Sequence, residues 1–393
     1  MKIDLTHGVT YIIDTLYKAG YEAYVVGGAV RNSLLSKTVD DYDITTSASP
    51  GEVKEVFKNL RLIETGIKHG TVTVMHEGVP YEVTTYRVDG EYGDNRHPES
   101  VAFTRRLEDD LARRDFTVNA MCYNDREGLV DLYGGEGDLE NKIIRTVGDP
   151  TARFSEDALR ILRALRFASV LDFQIDEDTA SAIRELYHLL ANVSNERVLV
   201  EIKKLLSGDG AHRILGEYAE VIRFVFPELQ GVTLPPEEGF RKVDWQTRLG
   251  AAFIMNSECP SQAIDKALRR LRSDNKTRTL LSSAIDANFT VKFDTVGSIL
   301  HGLMQFGEDS MTLCANISDL ISTKQGAREA LARVLSTNPI YRIRDLAING
   351  EDVQALGYRG TEIGAALERA LLAVIDGRCK NSHDELLHYL KKQ

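Results

Sequence analysis

The chain has 393 residues, of which 43% are hydrophobic and 27% charged, and its formal net charge is −11. These proportions exclude a wholly disordered chain. The sequence contains no run of about 18 apolar residues, so no membrane span is predicted. The N-terminal sequence lacks the apolar core and cleavage site of a signal peptide. We therefore expect a cytoplasmic protein of two or three domains, and the negative charge by itself argues against a nucleic-acid partner. The four cysteines are widely spaced and indicate neither a zinc site nor a disulfide framework.

The first 150 residues alternate short strand and helix patterns. The runs YEAYVVGG, DYDITT, TVTVMH, YEVTTYR and VAFT are rich in Val, Thr and Tyr and predict strands, and HEG predicts a hairpin turn between the third and fourth. Apolar spacing predicts helices over 4–19 and 50–57, the second with a capping box formed by Ser49 and Glu52. Together these elements predict a small mixed sheet flanked by helices.

After residue 150 the strand patterns nearly vanish. The segments FSEDALRILRALRFASVL, DTASAIRELYHLLANV and SNERVLVEIKKLLSG have the i, i+3, i+4, i+7 spacing of amphipathic helices. In the first of them, Ser155 is a suitable N-cap, and Glu156 and Arg160 are spaced to form a stabilising ion pair. We predict an α/β head followed by a long all-helical remainder.

Two aspartates stand two residues apart in the predicted strand DYDITT. Alternate residues of a strand share one face, about 6.5–7 Å apart, so Asp41 and Asp43 can jointly hold Mg²⁺, a hard cation that prefers oxygen ligands. Such ions would activate an attacking hydroxyl and stabilise a leaving phosphate. A lone pair of this kind is more often solvent-facing on an edge strand. Glu82 is a third candidate carboxylate, although it is equally compatible with a strand glutamate paired to a basic neighbour.

Paired glycines and arginines predict a phosphate-binding region. In VVGGAVR a strand breaks at Gly27 and Gly28 and continues as a helix, where backbone amides favour an anion and Arg31 can grip a phosphate oxygen. Standing alone, this pattern is more typical of a tight turn with a surface arginine. In RRDFTVNA, Arg114 and Asp115 offer partners for a phosphate and a ribose hydroxyl, and an exposed charged helix start is the alternative.

The helix after residue 154 carries a pattern suited to reading a base. Asp157 and Arg160 are i, i+3 neighbours, and Arg163 and Arg166 continue the same spacing. An acceptor beside a donor matches the amine and ring nitrogen of cytosine and of adenine, whereas guanine and uracil present the reverse pattern. A mismatched hydrogen-bonding site can reject an analogue by about 10⁴-fold. The alternative is an ordinary helix start with its cap and ion pair.

These elements, in this order, closely resemble the class II nucleotidyltransferases, which comprise the bacterial tRNA CCA-adding enzymes and their poly(A) polymerase relatives. The resemblance rests on GGAVR, DYDITTSASP, YEVTTYR, RRDFTVNAM, FSEDALRILRALRFA and NERVLVEIKKLL, within about the first 210 residues. It implies an α+β head with a DNA polymerase beta-like palm at 1–150. An all-α neck, body and tail would follow at 151–210, 211–335 and 336–393, the tail binding tRNA.

The resemblance also implies a role for each candidate residue. Asp41 and Asp43 would bind catalytic Mg²⁺, and Glu82 would be the third palm carboxylate. The nucleotide-binding set would comprise Gly27, Gly28, Arg31, Arg114, Asp115, Asp157, Arg160, Arg163 and Arg166. Asn32 and Asp40 depart from the usual aspartate and glycine of the family, which puts only local bracing and the local field in doubt.

The implied activity is template-independent addition of C, C and A to tRNA 3′ ends from CTP and ATP, with release of pyrophosphate. The segment 88–99 favours an enzyme that also adds A. Alternatives are a poly(A) polymerase or A-adding relative, a catalytically inactive RNA-binding relative and, more distantly, a glycosyltransferase. No protein partner is implied. A second basic stretch is either an RNA track or a solvated helix face, and it comprises Arg269, Arg270, Arg272, Lys276 and Arg278.

Overall fold

The computed structural model describes residues 2–39, 41–89, 101–322 and 326–392. The chain divides into two compact units, Met1–Val225 and Phe226–Gln393. Two features fall outside the described residues: Asp40 and most of the 88–99 segment. The finer division into head, neck, body and tail stays a prediction.

The first unit contains both strands and helices. Its strands are β1 (Ala23–Val26), β2 (Asp43–Thr46), β3 (Arg61–Ile63), β4 (Thr71–His76), β5 (Val79–Thr85), β6 (Arg87–Asp89), β7 (Val101–Phe103), β8 (Met121–Asn124), β9 (Gly128–Asp131), β10 (Ile143–Ile144) and β11 (Gln174–Ile175). Its helices are α1 (His7–Lys18), α2 (Gly28–Leu34), α3 (Pro50–Val56), α4 (Leu107–Ala112), α5 (Gly135–Glu140), α6 (Pro150–Glu156), α7 (Leu159–Leu171), α8 (Glu177–Leu186), α9 (Asn195–Leu206), α10 (Ala211–Glu217) and α11 (Ala219–Val225).

A mixed seven-stranded sheet forms the centre of this unit, in the order β3-β4-β5-β2-β1-β8-β9. Strand β2 pairs in parallel with β5, and the other neighbours are antiparallel. Every residue of β1 is buried, which explains why its sequence AYVV is apolar without alternation. The parallel pairing sets Asp43 of β2 directly beside Glu82 of β5. The sheet therefore brings together two acids that are 39 positions apart.

Several local predictions are confirmed. Strands β4 and β5 form the hairpin, and Glu77 and Gly78 at its turn both have positive φ (50° and 81°), as in the tight turns that fit the twist of paired strands. The capping box of α3 is present, with Ser49 and Glu52 bonded reciprocally. The mixed sheet flanked by helices is also confirmed.

Other local predictions are wrong. Strand β2 begins at Asp43, so Asp41 lies before the strand and not inside it. The helix expected from residue 154 is two helices, because α6 starts earlier with Asp149 as its N-cap and ends where Asp157 adopts an extended conformation. Ser155 is therefore no N-cap, and its hydroxyl donates to the Thr151 carbonyl inside α6. Strands β3, β6 and β8 to β11 were not predicted.

The described part of the second unit is helical. Its helices are α12 (Glu237–Arg241), α13 (Trp245–Asn256), α14 (Pro260–Arg270), α15 (Asn275–Thr290), α16 (Val296–Ile321), α17 (Ala327–Leu335), α18 (Gly350–Ala355), α19 (Thr361–Ile375) and α20 (His383–Lys391). Helix α16 is kinked at Gly307, whose φ of 76° is outside the helical range. In the described residues no helix is long and apolar enough to cross a membrane. The cytoplasmic compartment stays a prediction.

Candidate active site

Three predicted carboxylates lie near the start of β2. Asp43 and Glu82 are cross-strand neighbours in register, so their side chains leave the same face of the sheet. Asp41 precedes Asp43 by two residues, and all three acids are exposed. Within the described residues, no hydrogen bond or ion pair to these three side chains is formed, and their oxygens do not all lie within 4.8 Å of one another. The group is an open acidic surface and not a closed cation cage.

The charge on Asp43 is only partly balanced. Desolvation and repulsion from Asp41 raise the pKa of Asp43, and the opposing attraction of the Arg114 guanidinium is weaker than their sum. Adjacent carboxylates that repel one another, with oxygen as their only donor atom, match the ligand preference of Mg²⁺. The residues present therefore fit a hard divalent cation.

The glycine turn brings Arg114 close to the acids. Gly27 has a φ of 73°, a conformation that favours glycine, and a Cβ there would lie 3.4 Å from Nη1 of Arg114. Nη2 of Arg114 donates to Asp110 at 3.1 Å, whereas its buried Nε has no hydrogen-bond acceptor among the described residues. The predicted residues Gly27, Gly28 and Arg114 are thus together, with the Arg114 guanidinium beside the turn.

Arg31 is held by neutral amides. Its Nη1 donates to Oδ1 of Asn119, and its Nε and Nη2 donate to Oδ1 of Asn32 at 3.2 and 2.9 Å. Burial and the nearby charge of Arg166 lower the pKa of Arg31 to about 10, so it remains charged near neutral pH. Among the described residues, no carboxylate contacts the Arg31 guanidinium directly, since Asn32 and Asn119 accept its hydrogen bonds. Neutral partners leave more of its positive charge for a bound anion.

Asp115 is bonded within the protein on both oxygens. Oδ1 accepts from the backbone of Phe116 and from Asn119, at 2.9 and 3.1 Å, and Oδ2 accepts from Nε of Arg163 at 2.7 Å. Burial opposes its ionisation, but the charge and hydrogen bonds of Arg163 outweigh burial and lower the pKa of Asp115. The observed role of Asp115 is to hold Arg163 and Asn119, and its expected proximity to a ribose stays a prediction.

The proposed base-reading pair lies at the junction of α6 and α7. Oδ1 of Asp157 accepts from the Leu159 backbone at 3.1 Å, and Oδ2 accepts from Arg197 at 3.0 Å. Nη1 of Arg160 donates to Glu156 at 2.6 Å, which is the predicted i, i+4 pair, and Nη2 donates to the Arg113 carbonyl at 3.1 Å. Both side chains are mostly buried and fixed, and each keeps unused hydrogen-bonding capacity.

Three of the predicted arginines lie against the aromatic ring of Phe167. The guanidinium carbons of Arg31, Arg163 and Arg166 lie 5.1, 5.6 and 3.8 Å from the ring centre of Phe167. Arg166 also forms an ion pair of 2.5 Å with the buried Glu201. The ring provides an uncharged surface that keeps these like charges side by side.

Residues that hold the site were not predicted. The residues concerned are Asp110, Asn119, Phe167, Arg197 and Glu201. Asp110 contacts the near neighbours Arg113 and Arg114, whereas Arg197 and Glu201 reach Asp157 and Arg166 only through the fold. The available sequence signal was the i, i+3 and i, i+4 spacing of Asp110 with Arg113 and Arg114.

Asp110 provides a test of the local electrostatics. It is fully buried, accepts from Thr45, Arg113 and Arg114, and has a lowered pKa because the two arginines outweigh its desolvation. Asp110→Asn should lower the free energy of unfolding by about 3 kcal/mol, since both arginines lose their counter-charge. Urea titration measures the free energy of unfolding. The matched control is Asp109→Asn, because Asp109 accepts a hydrogen bond only from the neutral hydroxyl of Thr104 among its described contacts.

The same comparison has a defined pH dependence. A lowered folded-state pKa contributes stability above the unfolded aspartate value of about 3.9 and loses it as pH falls through the folded value. The difference between wild type and Asp110→Asn should therefore shrink in acid. Equal losses in the Asp109 and Asp110 variants, or a pH-independent difference, would contradict this account.

The second basic stretch is largely paired. Arg269 and Arg278 both contact Asp265, at 3.0 and 2.8 Å, and Arg270 contacts Glu228 at 3.0 Å. The stretch spans the end of α14 and the start of α15. These ion pairs reduce the charge of the predicted track, and the assignment of Arg269, Arg270, Arg272, Lys276 and Arg278 to RNA binding stays a prediction.

Comparison with known proteins identifies the family. The family described as Poly A polymerase head domain matches residues 23–145, and a family named for domain 2 of tRNA nucleotidyltransferase matches residues 241–390. A CCA-adding enzyme of Lactobacillus helveticus is 36% identical over 97% of this chain and 95% of its own length. The chain belongs to the family of CCA-adding enzymes.

Further members of the family support the match. A CCA-adding enzyme of a Geobacillus strain is 37% identical over 96% of this chain and 95% of its own length. The crystal structure of the Bacillus stearothermophilus CCA-adding enzyme in complex with CTP has a TM-score of 0.80 and 31% identity, covering 98% of this chain and 96% of that one. The predicted fold class, a nucleotidyltransferase head followed by helical domains, is confirmed, and members of this family use a divalent metal.

Proposed function

We propose that this protein adds C, C and A to the 3′ ends of tRNA, using CTP and ATP and releasing pyrophosphate. The observation that carries the proposal is the full-length similarity to CCA-adding enzymes, including one solved with CTP. The arrangement of acids, glycine turn and arginines in the first unit supports it independently.

The carboxylates of Asp41 and Asp43 would hold Mg²⁺, with Glu82 beside them as the third catalytic carboxylate. Bound there, the ion would activate the tRNA 3′-hydroxyl and neutralise charge on the reacting phosphate. Among the described residues, no side chain forms an ion pair with these acids. The Arg114 guanidinium acts on Asp43 only through its nearby charge. Catalysis would rest on positioning and charge neutralisation.

The triphosphate would lie against the glycine turn and its arginines. Gly27 and Gly28 lack side chains where α2 begins, and the Arg114 guanidinium lies beside this turn. Arg31 carries a charge that no carboxylate of the described residues contacts directly. Arg163 and Arg166 would add two further positive charges beside the triphosphate. Their ion pairs with Asp115 and Glu201 hold them in place.

The base would be selected by Asp157 and Arg160. The Asp157 carboxylate accepts the exocyclic amine of cytosine or adenine, and the Arg160 guanidinium donates to the adjacent ring nitrogen. Glu156 and Arg197 act as positioning residues, because their ion pairs fix the direction of these two groups. Uracil and guanine would place donor against donor and acceptor against acceptor, which is why they would be rejected.

Nucleotide addition to a tRNA that lacks its CCA end tests the proposal. With labelled CTP alone, we expect addition of C, and with a tRNA ending in CC and labelled ATP alone, we expect addition of one A. A poly(A) polymerase or A-adding relative would incorporate A and no C. An inactive RNA-binding relative would incorporate neither, and either result would overturn the proposal.

A further inference from the structure

Two histidines and a glutamate meet on a different face of the head. His7 is the first residue of α1, His76 is the last of β4, and Glu77 begins the hairpin turn. One potential ligand atom from each lies within 4.8 Å of the others, and in the described ranges this is the one group of three His, Cys, Asp or Glu side chains that meets so closely. No function described above uses these residues.

This cluster is distinct from the catalytic carboxylates. Glu82 pairs with Thr73, whereas His76 lies three residues further along β4, about 10 Å away. Because side chains alternate between the faces of a strand, His76 shares the face of the buried Val72 and Val74, opposite to the face of Thr73 and Glu82.

The three residues are carried by closely packed elements. The Tyr11 ring of α1 stacks on the His76 ring with centres 4.0 Å apart and planes 3° from parallel. A Cβ on Gly8 would lie 2.0 Å from Oη of Tyr81, so α1 approaches β5 at this point as closely as a glycine permits. His7 is therefore presented to the hairpin by packing.

A second, independent observation points to a ligand. Nε2 of His76 is buried and has no hydrogen-bond partner among the described residues. Leaving a buried polar atom unpaired costs about 1–3 kcal/mol. A cation bound through Nε2 of His76, together with His7 and Glu77, would satisfy this atom.

We propose that His7, His76 and Glu77 form a site for a transition-metal cation of the Zn²⁺ class. Two imidazoles and one carboxylate are a set that binds Zn²⁺, with water as the fourth ligand, whereas Mg²⁺ prefers oxygen ligands throughout. The bound ion would join α1 to the β4–β5 hairpin and stabilise the folded head, since it binds that state.

Zinc titration of the tag-free full-length chain tests this site. The protein is first stripped with a chelator and then titrated calorimetrically slightly above neutral pH, in excess Mg²⁺ so that the acidic group of Asp41 and Asp43 does not compete. We expect one Zn²⁺ per chain and a rise in melting temperature on binding. No binding under these conditions overturns the proposal.

Variants locate the bound ion. Removing a residue that only supports a metal ligand commonly weakens metal binding about 10–100-fold. His7→Ala and Glu77→Gln change the ligands themselves, so each should weaken zinc binding by about 100-fold, at the upper end of this range. His69 is an exposed histidine of the same head, so His69→Ala is the matched control. This variant should bind zinc as tightly as the wild type does. Because His7 and Glu77 are exposed, both variants should retain nucleotide addition. Unchanged zinc affinity in His7→Ala, or equal weakening in His69→Ala, would contradict the site.

Discussion

Replacement of Asp43 by Asn is expected to lower the rate of nucleotide addition by at least about 10³-fold. Asparagine keeps the shape of the side chain but removes the charge that would hold the metal beside Glu82, and electrostatic stabilisation of a transition state contributes several kcal/mol. The measurement is the single-turnover rate of CMP addition at saturating Mg²⁺. Since desolvation and Asp41 already raise the pKa of Asp43, the folded protein should not lose stability in this variant.

Asp125→Asn is the matched control for that loss. Asp125 is an exposed aspartate of the head that accepts from Tyr123 and lies outside the acidic group. It should retain the wild-type rate. Full activity of Asp43→Asn, or an equal loss in both variants, would show that the acidic group does not hold the catalytic ion.

Changes at Asp157 and Arg160 are expected to alter base selection by about 10²-fold. Arg160→Ala removes the donor to the ring nitrogen, so the ratio of kcat/KM for CTP over UTP should fall, with a smaller change in triphosphate binding. Asp157→Asn keeps the shape of the side chain and introduces an amide donor, which suits the uracil carbonyl. This variant should gain UTP incorporation relative to CTP.

The ratio of kcat/KM values for CTP and UTP shows whether Arg160 contacts the base or only stabilises the surrounding structure. Arg184→Ala, an exposed arginine of α8 that contacts Glu220, should leave the ratio unchanged. If Arg160 acts only through its ion pair with Glu156, its loss would reduce stability and total activity, and the preference for C and A over U and G would survive.

Local sequence patterns predicted those parts of the fold whose causes are local. The hairpin at Glu77 and Gly78 and the capping box at Ser49 are each specified within a few residues. Strand β8, MCYN, was missed because it has neither the Val-rich run that marked β1 nor an alternating pattern. The break at Asp157 was missed because its cause lies in competing helix starts, since Asp149 and Pro150 begin a helix before the expected one.

The sequence motifs named candidate residues for the site, whereas most contacts between those residues were not predicted. The motifs named the acids and arginines, but their neighbours come from distant segments: Asp115 and Arg163 are 48 positions apart, and Asp157 and Arg197 are 40 apart. Such contacts depend on the packing of the whole first unit, which no short pattern encodes.

The same pairing explains how an acidic chain carries an RNA-directed site. Most of the arginines at the site contact a carboxylate, with Asp110, Asp115, Glu156 and Glu201 as partners. Arg31 is the exception, because amides hold it. The net charge of −11 therefore restricts where a polyanion can bind and does not exclude one.

The most direct test of the account uses all four nucleotides together. The wild-type protein is incubated with Mg²⁺, a tRNA lacking its CCA end and equimolar ATP, CTP, GTP and UTP, and the extended 3′ ends are sequenced. We predict that the products end in C, C and A and stop after the third addition. Runs of A, frequent U or G, or unextended ends would contradict the assignment of this protein's site to CCA addition.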